Sequence, residues 1–402
     1  MSASRSFAPA GEAPSAWRIA VIGVTALAVA MGIGRFAFTP LLPLMLRDGS
    51  ISAGTGAEWA AANYAGYLVG ALTASRLSVD PRRGLLLGLL GVALTTLGVG
   101  ALSKAMLPLG GAVLRTLAGI FSAWTLVYVS SWCLAELAKR GVAHLGAWVY
   151  TGVGLGIAAA GVFAWLGGEQ SARALWLELG AVASAGALFV RWQLPNGPAA
   201  PVPSAPSRTP PPARAAKHRH GLLVACYATF GFGYIIQATF LPAMARQQVS
   251  NPLVFGLTWP LFGLAAALSV AGAARWLASW PRRRVWALAQ ATMALGTALP
   301  LATQAMWALA LSAVFVGGTF MVATMAGLQL AREYAPDDAT PLLARLTVAF
   351  AVGQIAGPVL VRVLGPGMWA GRDALFWANA LATILLAITA LFLLRRPNDR
   401  HA

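Results

Sequence analysis

The sequence predicts an all-α integral membrane protein of twelve spanning helices, arranged as two parallel repeats of six. Three observations lead there. Composition is the first: 58% of the residues are hydrophobic, only 10% are charged and mean hydropathy is +0.70. A soluble domain carries about 25% charged and about 45–50% apolar residues. The second is a succession of apolar stretches of about 20 residues, the length that crosses a bilayer core as a helix. The third is a duplication: at a fixed offset of 199 residues, MGIGRFAFTPLLPLM (31–45) lies over FGFGYIIQATFLPAM (230–244).

Taken in order, the first half predicts helices over 18–46, 58–78, 84–103, 107–137, 143–167 and 171–192. The start has the outline of a secretory signal, with Arg5 and Arg18 ahead of an apolar run and Ala28-Val29-Ala30 as a small-residue step. The run continues to Met45 and its counterpart recurs mid-chain, so it is retained as a span. Residues 193–219, rich in proline and alanine and ending in a basic cluster, have no apolar period and read as a semi-extended linker. The second half predicts helices over 220–246, 253–278, 284–303, 306–332, 341–364 and 372–394. The expected organisation is therefore a tail (1–17), a six-helix bundle (18–192), the linker (193–219), a second bundle (220–394) and a short tail (395–402).

The offset superimposes Gly32, Gly34, Leu42, Pro43 and Met45 on Gly231, Gly233, Leu241, Pro242 and Met244, and also pairs Gly119 with Gly318, Phe121 with Phe320 and Gly154 with Gly353. Six helices is an even number, so both halves enter the membrane from the same side. Parallel repeats of this kind are related by an axis along the membrane normal, with a binding site between them near the midplane.

The net charge of +17 would suggest nucleic-acid or anionic partners in a soluble protein. Its distribution argues otherwise. Of 29 Lys and Arg, six fall on one side of the predicted membrane (Arg47, Lys104, Arg173, Arg246, Arg362, Arg372) and two inside spans (Arg35, Arg115); the remaining 21 share the side of the tails and linker. The positive-inside rule makes that side cytoplasmic, with both termini and the linker there, in a multi-pass protein of the cell membrane. The basic excess is a topology signal, and no nucleic acid is expected as partner.

Several chemistries are disfavoured. Cys133 and Cys226 lie far apart in apolar segments and form no metal or disulfide spacing. The three lysines are followed by Ala105, Arg140 and His218, so no Walker A G-K-[ST] exists. His144, His218, His220 and His401 fall in loops or at ends, and no H-E-x-x-H occurs. No enzyme activity, metal or cofactor is expected.

GIGRFAFTPLLPLM in the first helix, AAANYAGYLVGAL in the second, LRTLAGIFSAW in the fourth, GVGLG in the fifth and VGQIAGP in the eleventh resemble the YbfB/YjiJ-like family of bacterial major facilitator transporters. The resemblance spans most of the chain. It implies the major facilitator fold and secondary active transport by alternating access, in a monomer. Two departures stand out. The superfamily's G-x-x-x-D-R-x-G-R/K loop is replaced by GALTASRLSVDPRRG, which keeps Asp80, Arg82 and Arg83 without the spacing. Helix five has GVGLGIAAAG without the proline of proton-coupled drug exporters, and the Gly-Pro step lies at Gly357-Pro358 instead.

Arg35 is the most informative single residue. A charge that deep costs at least about 2.5–3.5 kcal/mol on insertion scales, so it should face a wet cavity or a partner. Arg115 lies at comparable depth, and no Asp or Glu falls near the middle of any span. Two guanidiniums without acids suit a carboxylate or phosphate held bidentately; the alternative is that they bond helix carbonyls and only shape the cavity. Asn63, Tyr67, Tyr234, Gln237 and Gln354 are the further candidate substrate contacts, with interhelical bonding as the equal alternative. Gly32, Gly34, Gly231, Gly233 and Gly357 should allow close helix approach, and Pro40, Pro43, Pro242 and Pro358 should loosen their helices for packing or gating. Glu58 and Glu178 are the nearest candidates for carrying a coupling proton, with uniport or anion exchange as alternatives. The expected cargo is a small organic anion, with a neutral sugar or an exported drug or metabolite as alternatives. A non-transporting membrane sensor is the distant one.

Overall fold

The computed structural model describes residues 15–74, 80–142, 145–195, 214–248, 256–277, 279–303, 305–334 and 340–395. Most of the N-terminal tail and of the expected linker, and nearly all of the C-terminal tail, lie outside them. The described residues form twelve long helices. The first half holds α1 (Ala16–Arg47), α2 (Ala53–Ala74), α3 (Pro81–Ala101), α4 (Leu107–Lys139), α5 (Gly146–Leu166) and α6 (Ala172–Gln193). The second holds α7 (Arg214–Gln248), α8 (Thr258–Trp276), α9 (Arg282–Ala302), α10 (Met306–Tyr334), α11 (Thr340–Leu364) and α12 (Ala374–Leu394). Helix α7 thus begins inside the segment expected as linker. Among the described residues the single β-bridge, Trp369 with Arg372, closes the turn before α12.

Caps fix several starts: Ser15, Asp80, Ser171 and Asp373 each accept a backbone N–H from the first turn of the helix that follows. Ten of the helices are long and apolar enough to cross a membrane on their own. The other two are α2, which carries Glu58, Asn63, Tyr64 and Tyr67, and α8, which opens on Thr258 and Pro260 and ends with Arg275 in its last turn. Both lie at the seam between the halves, where protein rather than lipid covers much of their surface, so less hydropathy is required of them.

The repeat read from the sequence recurs in the packing. In the first half α1 packs on α5, α2 on α4, and α3 on α4 and α6; in the second α7 packs on α11, α8 on α10, and α9 on α10 and α12. Each pair reappears six helices on. Between the halves α5 meets α8 and α2 meets α11, which are equivalent contacts, while α1 meets its own equivalent α7. The α1–α7 bonds confirm the axis: Arg35 with Tyr234, and Thr39 with Ala238, join residues 199 apart. Outward faces are apolar, as at Leu87, Leu90 and Leu94 of α3 and Ile384, Ile388 and Leu391 of α12, which suits lipid.

Glycine makes two equivalent approaches possible. A Cβ on Gly32 would lie 2.3 Å from the carbonyl carbon of Gly156, and one on Gly231 2.4 Å from the carbonyl oxygen of Phe350. Those distances are far below van der Waals contact, so α1 sits on α5, and α7 on α11, backbone to backbone.

Candidate functional site

A cavity of about 510 Å³ lies between the halves. Its inner end is formed by Arg35 and Phe36 of α1, Tyr67 of α2, Tyr234 of α7 and Phe320 of α10. From there the walls run along α4 to Leu134, along α10 to Arg332 and along α11 back to Thr347, toward the face that carries the basic loops. On the opposite face the halves are in contact. Tyr64 and Thr239 share a hydrogen bond of 2.9 Å, Thr39 Oγ1 donates to Ala238 O at 2.6 Å, and Arg246 donates to Pro43 O. Arg362 pairs with Glu58 at 2.8 Å. Along α5 and α8, Gly154 and Gly161 meet Gly263, Ala267 and Pro260 so closely that a Cβ on Gly154 would lie 2.4 Å from Ala267 N. Small residues on both helices are what permit such contact.

The Thr39 bond follows from a proline. Pro242 has no N–H, so the carbonyl four residues earlier in α7, that of Ala238, has no helical partner. Thr39 of the other half supplies it.

Helix α1 is not regular around Arg35. Residues Ala28–Phe36 form a π-helical segment, which is rare and leaves backbone carbonyls awkwardly placed. In π geometry the carbonyl of Arg35 would bond the N–H of residue 40, but that residue is Pro40. Arg115 fills the gap: its Nη2 donates to Arg35 O at 2.7 Å and its Nη1 to Gly34 O at 2.9 Å. Ser122 donates to Ala30 O at 2.7 Å, and Asn63 reaches from α2 to Arg115 O at 2.8 Å. Arg115 and Asn63 are thus buried behind the cavity wall, clamping the segment that presents Arg35.

Arg35 is only 3% exposed and faces the cavity. Its guanidinium carbon lies 4.1 Å from the Tyr67 ring centroid, 5.1 Å from Phe36 and 5.4 Å from Tyr64, an aromatic surround that favours a cation. Its Nη2 donates to the Tyr234 hydroxyl at 3.4 Å, and Nε has no partner. No described acid pairs with it. Tyr234 is fixed by stacking between Phe320 and Phe350, at centroid distances of 5.4 and 5.6 Å with both planes 4° apart. Gln354 also donates to its hydroxyl.

Of the residues singled out in the sequence, the structure brings Arg35, Tyr67 and Tyr234 to the cavity wall. Gln354 lies one bond behind, through Tyr234. Gln237 is buried elsewhere, donating to Asn379 Oδ1 at 2.8 Å and so tying α7 to α12. Glu58 is at the α2–α11 seam, and Glu178 is partly buried on α6; neither lines the cavity. Sequence reasoning missed Tyr150, Tyr227, Phe320 and Phe350, which form most of the aromatic wall. The available signal was the tyrosines themselves: a hydroxyl deep in a span calls for a polar neighbour. Among the described residues no cluster of His, Cys, Asp or Glu could hold a metal ion.

Twelve helices in two equivalent bundles, with a blind cavity on the axis between them, define a major facilitator superfamily transporter. The comparisons agree. The family model described as "Uncharacterised MFS-type transporter YbfB" matches residues 27–393. The chain belongs to that family. No curated protein matches it in sequence. Among solved structures it is similar to a D-xylose-proton symporter, with a TM-score of 0.73, 12% identity and coverage of 96% of this chain and 98% of that one. It is similar to the nucleoside transporter NupG at 0.70, with 15% identity and 95% and 99% coverage. The human organic anion transporter MFSD10 (TETRAN) follows at 0.64, with 16% identity and 95% and 100% coverage. At these identities the structural likeness shows a shared fold.

Proposed function

We propose that this protein is a secondary transporter that carries a small organic anion across the cytoplasmic membrane by alternating access, with Arg35 as its anion receptor. The cytoplasmic side is the one with the basic loops, by the positive-inside rule, so the cavity opens inward and the opposite, outer face is closed. The observation that carries the reading is the state of Arg35. A deeply buried guanidinium has a free Nε, a long hydrogen bond to Tyr234, a further contact with the Tyr67 hydroxyl and no acid partner among the described residues, at the blind end of a cavity on the repeat axis. An arginine so placed is costly unless something anionic visits it. Arg115 takes the other role weighed for such residues, as a positioning group for the π segment.

The driving force is a gradient rather than ATP. Among the described residues no Asp, Glu or His lines the cavity, which favours uniport or anion exchange over proton coupling through an acid in the path. Neighbours of this fold include a nucleoside transporter, a sugar–proton symporter and an organic anion transporter, so the fold alone leaves the cargo open and the site must decide it. The test is uptake of radiolabelled organic anions into proteoliposomes by wild type and by Arg35→Gln. Anion uptake that disappears in the variant, with normal membrane insertion, is the expected result. Undiminished uptake in Arg35→Gln would remove the proposal.

A further inference from the structure

The wall of the cavity divides its hydrogen-bond donors unevenly, and this division selects among anions. Away from Arg35, the hydroxyl hydrogens are already committed. Ser130 donates to Leu126 O at 2.8 Å, Ser131 to Val127 O at 2.9 Å, Thr324 to Phe320 O at 2.8 Å and Thr347 to Leu343 O at 2.9 Å. Each is a bond back to the preceding turn of its own helix. Because the Ser130 hydrogen is spent, the 2.9 Å contact between Ser130 and Tyr150 has Tyr150 as donor. Tyr227 donates to Thr324 O at 3.3 Å. What these six groups still offer is lone pairs. Free donors gather at the inner end: Arg35 Nε has no partner, and the Tyr234 hydroxyl, which accepts from Arg35 and Gln354, keeps its own hydrogen to give.

We infer that the transported anion is a monocarboxylate with an apolar, ring-bearing body, its carboxylate on Arg35 and Tyr234 and its body among Tyr67, Phe320 and Phe350. The inference rests on the reading of the cavity as an anion path and narrows it. A carboxylate only accepts, so it matches the donor-rich end. A sugar or nucleoside presents donors and acceptors around its whole rim. Here it would meet hydroxyls with no hydrogens to give, and the buried amides Asn63 and Gln237 lie off the wall. A second carboxylate or a phosphate dianion would face lone pairs and ring faces. The next cation, Arg332, is eleven residues along α10 from Met321, roughly 16 Å at the helical rise. A volume of about 510 Å³ holds a ring-bearing acid.

The test uses the full chain in lipid nanodiscs, with binding measured by calorimetry for phenylacetate, acetate, succinate, inorganic phosphate, phenylacetamide and D-xylose. Phenylacetate should bind at least about tenfold tighter than acetate, from burial of the ring, and also tighter than succinate or phosphate. Phenylacetamide and xylose should be weak, and Arg35→Gln should bring phenylacetate down to the level of phenylacetamide. Arg35-dependent binding in which acetate, succinate or phosphate equals phenylacetate would overturn this inference and leave the organic-anion reading standing. Preference for xylose, or binding of none of the six at millimolar concentration, would overturn both. Should Arg35→Gln fail to assemble, Arg35→Lys serves in its place. It keeps the charge and loses the planar fork, so phenylacetate affinity falls at least about tenfold while phenylacetamide is unmoved, and an undiminished phenylacetate affinity contradicts the donor argument.

Discussion

Thr39→Val should release the outer gate, and the size of the effect can be worked from one bond. Ala238 O lacks a helical donor because Pro242 has no N–H, and Thr39 Oγ1 donates to it at 2.6 Å from the other half. Thr39 is 2% exposed, so water does not substitute there. Valine keeps the shape and removes the donor, leaving a buried carbonyl without a partner at a cost of about 1–3 kcal/mol. Once the outer seam parts, that carbonyl meets water and the cost disappears. The penalty therefore falls on the outer-closed state alone and shifts the equilibrium toward outer-open by roughly 5- to 150-fold. Pulsed electron spin resonance between labels at Ser52 and Val363 reads the separation of α2 and α11 at that face. Val363 is 75% exposed, and the two native cysteines are buried and replaceable by alanine. Growth of a long-distance population is the expected outcome. An unchanged distance distribution together with a lower Tm would show that the bond supports both states equally, and the gating argument would fail.

Arg115→Met removes the donors to Gly34 O and Arg35 O and should lower stability by about 2–5 kcal/mol, measured as a drop in Tm in detergent. Arg115→Lys should recover only part, since a single ammonium cannot reproduce the two-nitrogen fork. Gly161→Leu places a side chain where even a Cβ would stand 2.7 Å from Pro260 N. The same spin-label pair should report an outer face that no longer closes, and a wild-type distribution would contradict the seam described here. Glu58→Gln breaks an ion pair whose side chains are 52% and 54% exposed, worth about 1 kcal/mol or less. Uptake should stay within about fivefold with its pH profile intact; loss of the pH dependence would make Glu58 a proton carrier after all.

The fold was legible because the bilayer imposes it. A span needs about 20 apolar residues, and a duplicated G-x-G with its trailing proline marks the repeat whatever the cargo. The blurred element is α2, which carries Glu58, Asn63, Tyr64 and Tyr67 because the other half, rather than lipid, covers much of it. The site was legible where chemistry is unusual in lipid: an arginine deep in a helix announces itself. It was illegible where residue types are ordinary. Phe320 and Phe350 read like any lipid-facing phenylalanine until helix rotation is known. Pattern alone also cannot tell that Arg115 turns to carbonyls while Arg35 turns to the cavity. The π segment decides that, by shifting which carbonyls need a donor, and no periodicity in MGIGRFAF discloses it.

The contact between Arg35 and Tyr234 links loading to gating. It spans 3.4 Å, longer than the 2.9–3.0 Å of an ordinary N–H···O bond. Stacking between Phe320 and Phe350 holds the Tyr234 ring in place, so movement of the halves carries the two groups together or apart. A carboxylate seated there accepts from Arg35 of one half and from the Tyr234 hydroxyl of the other. Those bonds shorten as the inner mouth narrows, so the anion binds the occluded state more tightly than the open one. By linkage, loading favours closure to the extent of that difference. Tyr234→Phe removes the hydroxyl and leaves the ring stack and Arg35 in place. Affinity for phenylacetate should then fall by less than about fivefold, the worth of one neutral hydrogen bond, while uptake falls at least about tenfold because loading no longer drives closure. Equal losses in binding and uptake would assign the hydroxyl to ground-state recognition alone, and the coupling between cargo and gate would need another carrier.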